Sequence, residues 1–414
     1  MSIYLLATLD TKGDEAEFVR RQLASHGAAV TLVDVGCLGK PAVAADIPRE
    51  QVYSAAGASL AEVQQRGDRG HAVTIAAAGA AAVVSDAFAA EKVSGVLGLG
   101  GSAGSTIASA AMRALPLGVP KLLVSTLASG QVRHYVGDKD ILMLNAVVDI
   151  AGINRISRAV LGNAAAAMAG MVRARETQSS AAHDGATADK PLVAATMFGV
   201  TTPCVEAAKR ILADAGYEVV VFHAVGSGGQ AMESLIRDGL FAGVLDITTT
   251  ELADELVGGV LSAGPNRLTA AAEKGVPQVV SVGATDMVNF HAAETVPAEF
   301  ADRKFYQHNA SVTLMRTTAD ECAAIGGEIG RMLAAARGPV AVFLPANGVS
   351  AIDAKGQPFD DPAARSALFT AIRTKLAEAG ASDCVEVVEL DQHINDAAFA
   401  EAMARRLLAM LRAR

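Results

Sequence analysis

At 414 residues the chain is long enough for two or three domains of about 100 to 200 residues, and its net charge of -9 speaks against non-specific attraction to nucleic acid or to an anionic membrane, both of which need a basic face. Apolar residues make up 51% of it, yet aromatics are only 4% and Trp is absent, so the core falls to Ala, Val, Leu and Ile, the palette of parallel strands covered by helices. Cys37, Cys204, Cys322 and Cys384 lack the close pairs of metal or redox motifs and are expected to be small buried residues in a reducing, cytoplasmic compartment.

The amino terminus, MSIYLLATLDTKGDE, has no basic start and turns acidic after one short apolar run, unlike a secretory signal. Ile3 to Thr8 reads as a strand, Asp14 to His26 as a helix through Phe18, Val19, Gln22 and Leu23, and Val30 to Val35 as a second strand: a βαβ unit. Ala72 to Ala90 is the most apolar window, but Ala dominates it and Asp86 interrupts it, so a core helix is expected rather than a membrane span. The strand Val93 to Leu97 empties into GLGGSAGST, Gly98 to Thr106, with a helix expected near Ser105. Lys121 to Ser125 is the next strand, followed by Thr126-Leu127-Ala128-Ser129-Gly130. The stretch RARETQSSAAHDGATADK, Arg173 to Lys190, lacks apolar periodicity and reads as a linker.

Beyond it the elements repeat in order. Leu192 to Thr196, Val205 to Ala215 and Tyr217 to Phe222 restate strand, helix and strand. Ala242-Gly243-Val244-Leu245 echoes Ser94-Gly95-Val96-Leu97, and Gly275-Val276-Pro277 echoes Gly118-Val119-Pro120. The expected architecture is α/β, with two Rossmann-like doubly wound parallel-sheet domains and a cleft between them. Residues 1–175 form the nucleotide-binding domain, 176–190 the linker and 191–414 a second domain with a polar or substrate pocket. The halves diverge where the third strand ends, in glycines in the first and in Asp246-Ile247-Thr248-Thr249-Thr250-Glu251 in the second.

Ligands of an open parallel sheet sit beyond the carboxyl ends of its strands. Glycines from Gly100 onward let backbone N–H groups approach an anion, and the following helix adds its positive end, so this loop is expected to grip phosphate, with Ser102, Ser105 and Thr106 adding hydroxyls. Lys12 offers a point charge, Asp10 a magnesium contact, and Asp34 a carboxylate where an acidic side chain often meets a ribose. The loop matches neither the P-loop nor the GxGxxG spacing; the plain alternative is a tight strand-to-helix turn.

TLDTKGDE, GLGGSAGST, STLASG, Thr313 to Thr317 (TLMRT) and PANGVSAIDAKGQPFDDPAA together resemble the Tm-one-like ATP-binding family of bacterial and plant proteins, over essentially the whole chain. The resemblance implies two Rossmann-like lobes with ATP on the first. It points to Asp10, Thr11 and Lys12, to Gly100, Gly101, Ser102, Gly104, Ser105 and Thr106, and to Ser125, Thr126, Ser129 and Gly130.

In the second half, polar chemistry gathers around Asp286, Asn289, His291, His308, Asn309, Arg316, Asn347, Ser350 and His393. A cleft His beside a carboxylate makes a general base, and Arg forks onto a carboxylate better than Lys does. His308 or His393 is thus the expected acid/base, Arg316 the anchor and Asp286 a catalytic carboxylate. Asn289, His291, Asn309, Asn347 and Ser350 are placed around the substrate. For each His a hydrogen-bonded structural role is the alternative. No HxH or HExxH spacing supports a metal site, and Ser350 is not in a GxSxG elbow. The expectation is a nucleotide-binding protein, with ATP and Mg2+ as cofactors, acting on a small carboxylate or carbonyl metabolite at the cleft. The alternatives are a non-catalytic metabolite-binding or regulatory protein and an ATP-independent hydrolase or lyase. Ala-rich helices such as Ala164 to Ala174 suit pairing of chains in a homodimer.

Overall fold

The computed structural model describes residues 1–130, 132–181 and 189–413, in two compact units, Met1–Thr187 and Ala188–Arg414. The first unit runs β1 (Ser2–Ala7), α1 (Leu9–Ser25), β2 (Val30–Asp34), α2 (Arg49–Ala55), α3 (Leu60–Arg66), α4 (Arg69–Ala89), β3 (Val93–Gly100), α5 (Ser102–Arg113), β4 (Lys121–Ser125), α6 (Arg133–Val136), β5 (Leu142–Asn145) and α7 (Arg155–Ala181). Its strands pair in parallel in the order β2-β1-β3-β4-β5. Side chains alternate across the pleat: Ile3 and Leu5 join Leu97, Leu122 and the inner faces of α1 and α7, while Tyr4 and Leu6 join Val96, Leu123, α4 and α5. Both faces are therefore covered, which is why the strands read as unbroken apolar runs.

The second unit runs β6 (Leu192–Met197), α8 (Thr202–Asp214), β7 (Glu218–His223), α9 (Ser227–Arg237), β8 (Phe241–Thr248), α10 (Thr250–Val257), α11 (Ala270–Lys274), β9 (Gln278–Gly283), β10 (Met287–Phe290), β11 (Phe305–Asn309), β12 (Val312–Arg316), α12 (Ala319–Ala334), β13 (Val340–Pro345), α13 (Pro362–Glu378), β14 (Val385–Leu390) and α14 (Ala397–Arg412). Its main sheet has the order β14-β13-β9-β8-β6-β7, all parallel, which is the first unit's order with one further strand. The repetition extends to register. The β1–β3 pairing slips between Ser2 and Ile3, the β6–β8 pairing slips between Leu192 and Val193, and Gly95 and Gly243 then face Ile3 and Val193.

The sequence reading did not anticipate that β10, β12 and β11 form a separate antiparallel sheet between β9 and β13, with the TLMRT run as its middle strand. Helix α4 has the length and composition to cross a membrane. In this unit it turns Ala72, Ala76, Ala80 and Val84, spaced one turn apart, into the core beside Tyr53. Helix α7 continues to Ala181, through the start of the segment expected to be a linker, and residues 182–188 lie outside those described. The cysteines are free; Cys204 and Cys322 are buried as expected, but Cys37 is half-buried and Cys384 is exposed.

Candidate functional site

In the first unit the strand order reverses between β1 and β3, and a cavity of about 320 Å³ opens beyond their carboxyl ends. Thr8, Asp10, Thr11 and Lys12 line it from the turn after β1, Val35, Cys37 and Leu38 from the segment after β2, and Gly100 to Gly104 with Ile107 from the β3–α5 corner. Tyr53 of α2, Arg69, Ala72 and Val73 of α4, and Asp149 after β5 complete the wall.

The corner is tighter than its sequence suggests. β3 runs on to Gly100, α5 begins at Ser102, and only Gly101, in extended conformation, separates them. A Cβ on Gly100 would lie 2.6 Å from Gly104 Cα, and one on Gly104 2.9 Å from the Leu99 carbonyl oxygen, so glycine at both positions lets the helix start against the strand. The Ser105 N–H donates to the Gly101 carbonyl at 2.9 Å, the first bond of the helix. The N–H groups of Ser102, Ala103 and Gly104 come before any intrahelical acceptor, and their residues line the cavity. The positive end of the helix dipole therefore lies at the cavity wall. Opposite, the Thr11 and Lys12 N–H groups both donate to the Thr8 carbonyl (3.0 and 2.8 Å), and the helix breaks at Lys12 (φ -130°, ψ 21°) before continuing. Lys12, half-buried on the cavity wall, has no side-chain hydrogen bond or ion pair among the described residues.

Of the expected phosphate-binding residues, Asp10, Thr11, Lys12, Gly100, Gly101, Ser102 and Gly104 meet at this cavity, and the others do not. Because the helix starts earlier than expected, Ser105 falls inside it, fully buried, and its hydroxyl lies 2.7 Å from that of Ser125, sealing helix to strand. Thr106 is exposed and bonds back to the Ser102 carbonyl at 2.9 Å. Thr126, Ser129 and Gly130 form the turn after β4, outside the cavity lining. Asp34 is 1% exposed; its Oδ1 accepts from the N–H of Leu9 (3.1 Å) and of Gly36 (2.9 Å), so it shapes two loops instead of facing a ribose. Burial holds its pKa above the usual carboxylate value, against the lowering effect of those bonds. Sequence reading missed Cys37, Leu38, Tyr53 and Arg69, which belong to a crossover from β2 to β3 of which only the helix in Ala72 to Ala90 was read, and Asp149, which lies on the loop after β5.

The second unit has filled the equivalent position with its own side chains. Asp246, Thr248 and Glu251 occupy the places of Gly98, Gly100 and Ala103 in the repeat. Glu251, fully buried, accepts from the N–H groups of Gly226 (2.7 Å) and Gly229 (3.0 Å) at the start of α9. Arg267, 1% exposed, donates through Nε to Glu251 (2.7 Å) and through Nη1 and Nη2 to the two oxygens of Asp246 (2.6 and 2.7 Å). Here a carboxylate of the protein sits where a helix start would take an external anion.

Other expected residues of this unit are also committed. Arg316 is 6% exposed and donates to the Phe359 carbonyl (2.8 Å), the Thr317 hydroxyl (2.8 Å) and Asp353 (3.4 Å), so it braces loops and is not free to fork onto a substrate. His393 accepts the Asn395 N–H on Nδ1 (3.1 Å), which assigns its proton to Nε2, 2.8 Å from the Ser350 carbonyl; both nitrogens are engaged, contrary to an acid/base role. Ser350 Oγ donates to Asp286 Oδ2 at 2.8 Å, and both residues are buried. Burial, then the nearby Asp353 charge, pushes the Asp286 pKa up to about 7, and its Oδ1 has no hydrogen-bond partner. Asn289 is buried and donates to Asp254, and Asn347 is exposed and donates to Asp391. His291, His308 and Asn309 are exposed around the antiparallel sheet, where Asn309 Oδ1 accepts from the Ser311 N–H and hydroxyl. The structure thus brings Asp286, Ser350 and His393 together, but not the three histidines, and no group of metal-ligating residues occurs among the described residues.

The description "Uncharacterised protein family (UPF0261) N-terminal domain" matches residues 1–177, and the corresponding C-terminal domain matches residues 190–411. A "UPF0261 protein" of Clostridium tetani is 49% identical over 99% of this chain and 98% of its own length, and one of Rhizobium meliloti is 47% identical over 97% and 96%. The tomato (Solanum lycopersicum) "ToMV resistance protein Tm-1(GCR237)" is 44% identical over 98% of this chain but only 55% of itself. The family resemblance drawn from the motifs is borne out.

Proposed function

The chain belongs to the uncharacterised protein family UPF0261, and we propose that the cavity of its first unit binds ATP or a related nucleotide by its phosphates. The observation that carries this reading is the fan of N–H groups at Ser102, Ala103 and Gly104, without helical acceptors, opening with Lys12 on one cavity at the strand-order reversal. Val35, Leu38, Ala72, Val73 and Ile107 give the same cavity an apolar wall suited to a base. Asp149 fits a Mg2+ ion accompanying the phosphates, since Mg2+ can take one carboxylate and fill its shell with phosphate oxygens and water, whereas the Asp10 carboxylate is held by the Leu38 N–H (2.7 Å).

A non-catalytic, nucleotide-responsive binding protein is favoured over an enzyme acting on a carboxylate or carbonyl metabolite. The supporting observation is that Arg316 and His393, the expected anchor and acid/base, are held by partners inside the second unit.

Thermal unfolding with nucleotides, with and without Mg2+, tests the reading. ATP at about 100 times its dissociation constant is expected to stabilise the wild type by about 2.7 kcal/mol. Lys12→Ala and Gly101→Val should abolish most of this. A Cβ at Gly101 meets only Thr126 Oγ1, at an ordinary 3.6 Å, so its first added atom makes no backbone clash at the strand-to-helix corner. No shift in the wild type, or equal shifts in all three proteins, overturns the reading.

A further inference from the structure

We infer that Arg49 is a positioning residue for this cavity: without lining it, the buried guanidinium latches the segment Gly36 to Gly39 that forms one wall, and so sets nucleotide affinity. The affinity half of this inference rests on the nucleotide reading; the latch does not.

From Val35 to Ala45 the chain has neither helix nor strand. Its backbone groups need partners all the same, and side chains from four other elements supply them. The Gly36 N–H donates to Asp34 Oδ1 (2.9 Å) and the Leu38 N–H to Asp10 Oδ2 (2.7 Å). The Cys37 carbonyl accepts from Gln64 Nε2 (2.6 Å), and the Gly39 carbonyl from Arg49 Nη1 (2.6 Å). The segment passes so close over Asp10 that a Cβ on Gly36 would lie 2.8 Å from Asp10 Oδ1.

Arg49 connects these holds. It is 8% exposed, and it lies 4.0 Å from both Asp10 Oδ2 and Asp34 Oδ2, the two carboxylates that grip the segment. Asp34 also takes the Leu9 N–H, so the same carboxylate steadies the turn that carries Asp10, Thr11 and Lys12. Removing the guanidinium leaves two buried carboxylates facing each other and frees the Gly39 carbonyl. Their repulsion then acts on the N–H groups they hold, and Cys37 and Leu38 leave their places on the wall.

The test combines hydrogen exchange of the ligand-free protein with calorimetric titration of MgATP, for wild type, Arg49→Met, Arg49→Lys, Gln64→Ala and Lys12→Ala. Arg49→Met is expected to speed exchange of peptides covering residues 36–39 by about tenfold or more and to weaken MgATP binding by a similar factor, with Arg49→Lys restoring part of both. Gln64→Ala, an exposed position that spares the fold, should give a smaller change in the same two readouts. Lys12→Ala should weaken binding while leaving exchange at 36–39 unchanged. Unchanged exchange in both Arg49→Met and Gln64→Ala overturns the latch; faster exchange with undiminished affinity overturns its control of binding. If the wild type binds no MgATP, the nucleotide reading and the affinity half fail together, and the exchange result still decides the latch.

Discussion

Arg267 and Asp246 form a two-pronged ion pair, Nη1 to Oδ2 at 2.6 Å and Nη2 to Oδ1 at 2.7 Å, with each residue 1% exposed. Glu251 and Glu233 close on the same guanidinium, at 2.7 and 3.3 Å. One cation thus serves three buried carboxylates, and burial raises the pKa of Glu233. Arg267→Met should destabilise the protein by about 3 to 5 kcal/mol, because it strands those carboxylates, and Arg267→Lys should recover only part, lacking the planar fork. Urea unfolding measures both.

Asp286 and Asp254 make stability fall as pH rises through the weakly acidic range. Each has an ordinary pKa of 3.8 that the fold pushes up to about 7, by burial first; between those values the folded state holds a proton that the unfolded state has lost. The stabilisation is complete below pH 3.8, declines by at most about 1.4 kcal/mol per pH unit for each group, and levels off above about pH 7. Asp286→Asn should flatten this slope. Denaturant midpoints for variant and wild type at about pH 5 and about pH 8 check it.

The Ser105–Ser125 hydroxyl pair separates fold from ligand. Ser105→Ala should cost about 1 to 3 kcal/mol, since it removes one partner of a buried 2.7 Å contact, and leave nucleotide affinity nearly unchanged. Lys12→Ala should do the reverse. Paired melting curves and titrations distinguish the two.

Gly100→Ala should damage both properties. Its Cβ would stand 2.6 Å from Gly104 Cα, so the start of α5 must move off the strand, at a cost of about 1 to 3 kcal/mol. Nucleotide-induced stabilisation should vanish with it, because the moved N–H groups are those assigned to phosphate. A retained thermal shift would show that phosphate sits elsewhere.

Much of the fold was legible because its signals are local. Ile3 to Thr8, Val30 to Val35 and Lys121 to Ser125 fall on strands within a residue or so, as runs of Val, Leu and Ile between turns do. A displacement of three residues in one helix start was enough to misplace Ser105 and Thr106, since a one-turn shift moves a hydroxyl from a loop to the core or to solvent. His308 and His393 read alike in the sequence; one lies exposed on a hairpin, the other is fixed through both ring nitrogens.

The sequence by itself determined the duplicated parallel architecture and the glycine corner, because apolar periodicity and the steric freedom of glycine act over a few residues. Only the tertiary structure decided which polar groups stay available. Asp34, Arg316 and Arg267 are committed by partners distant in the chain, and the free energy of a buried charge depends on the partners that folding brings to it.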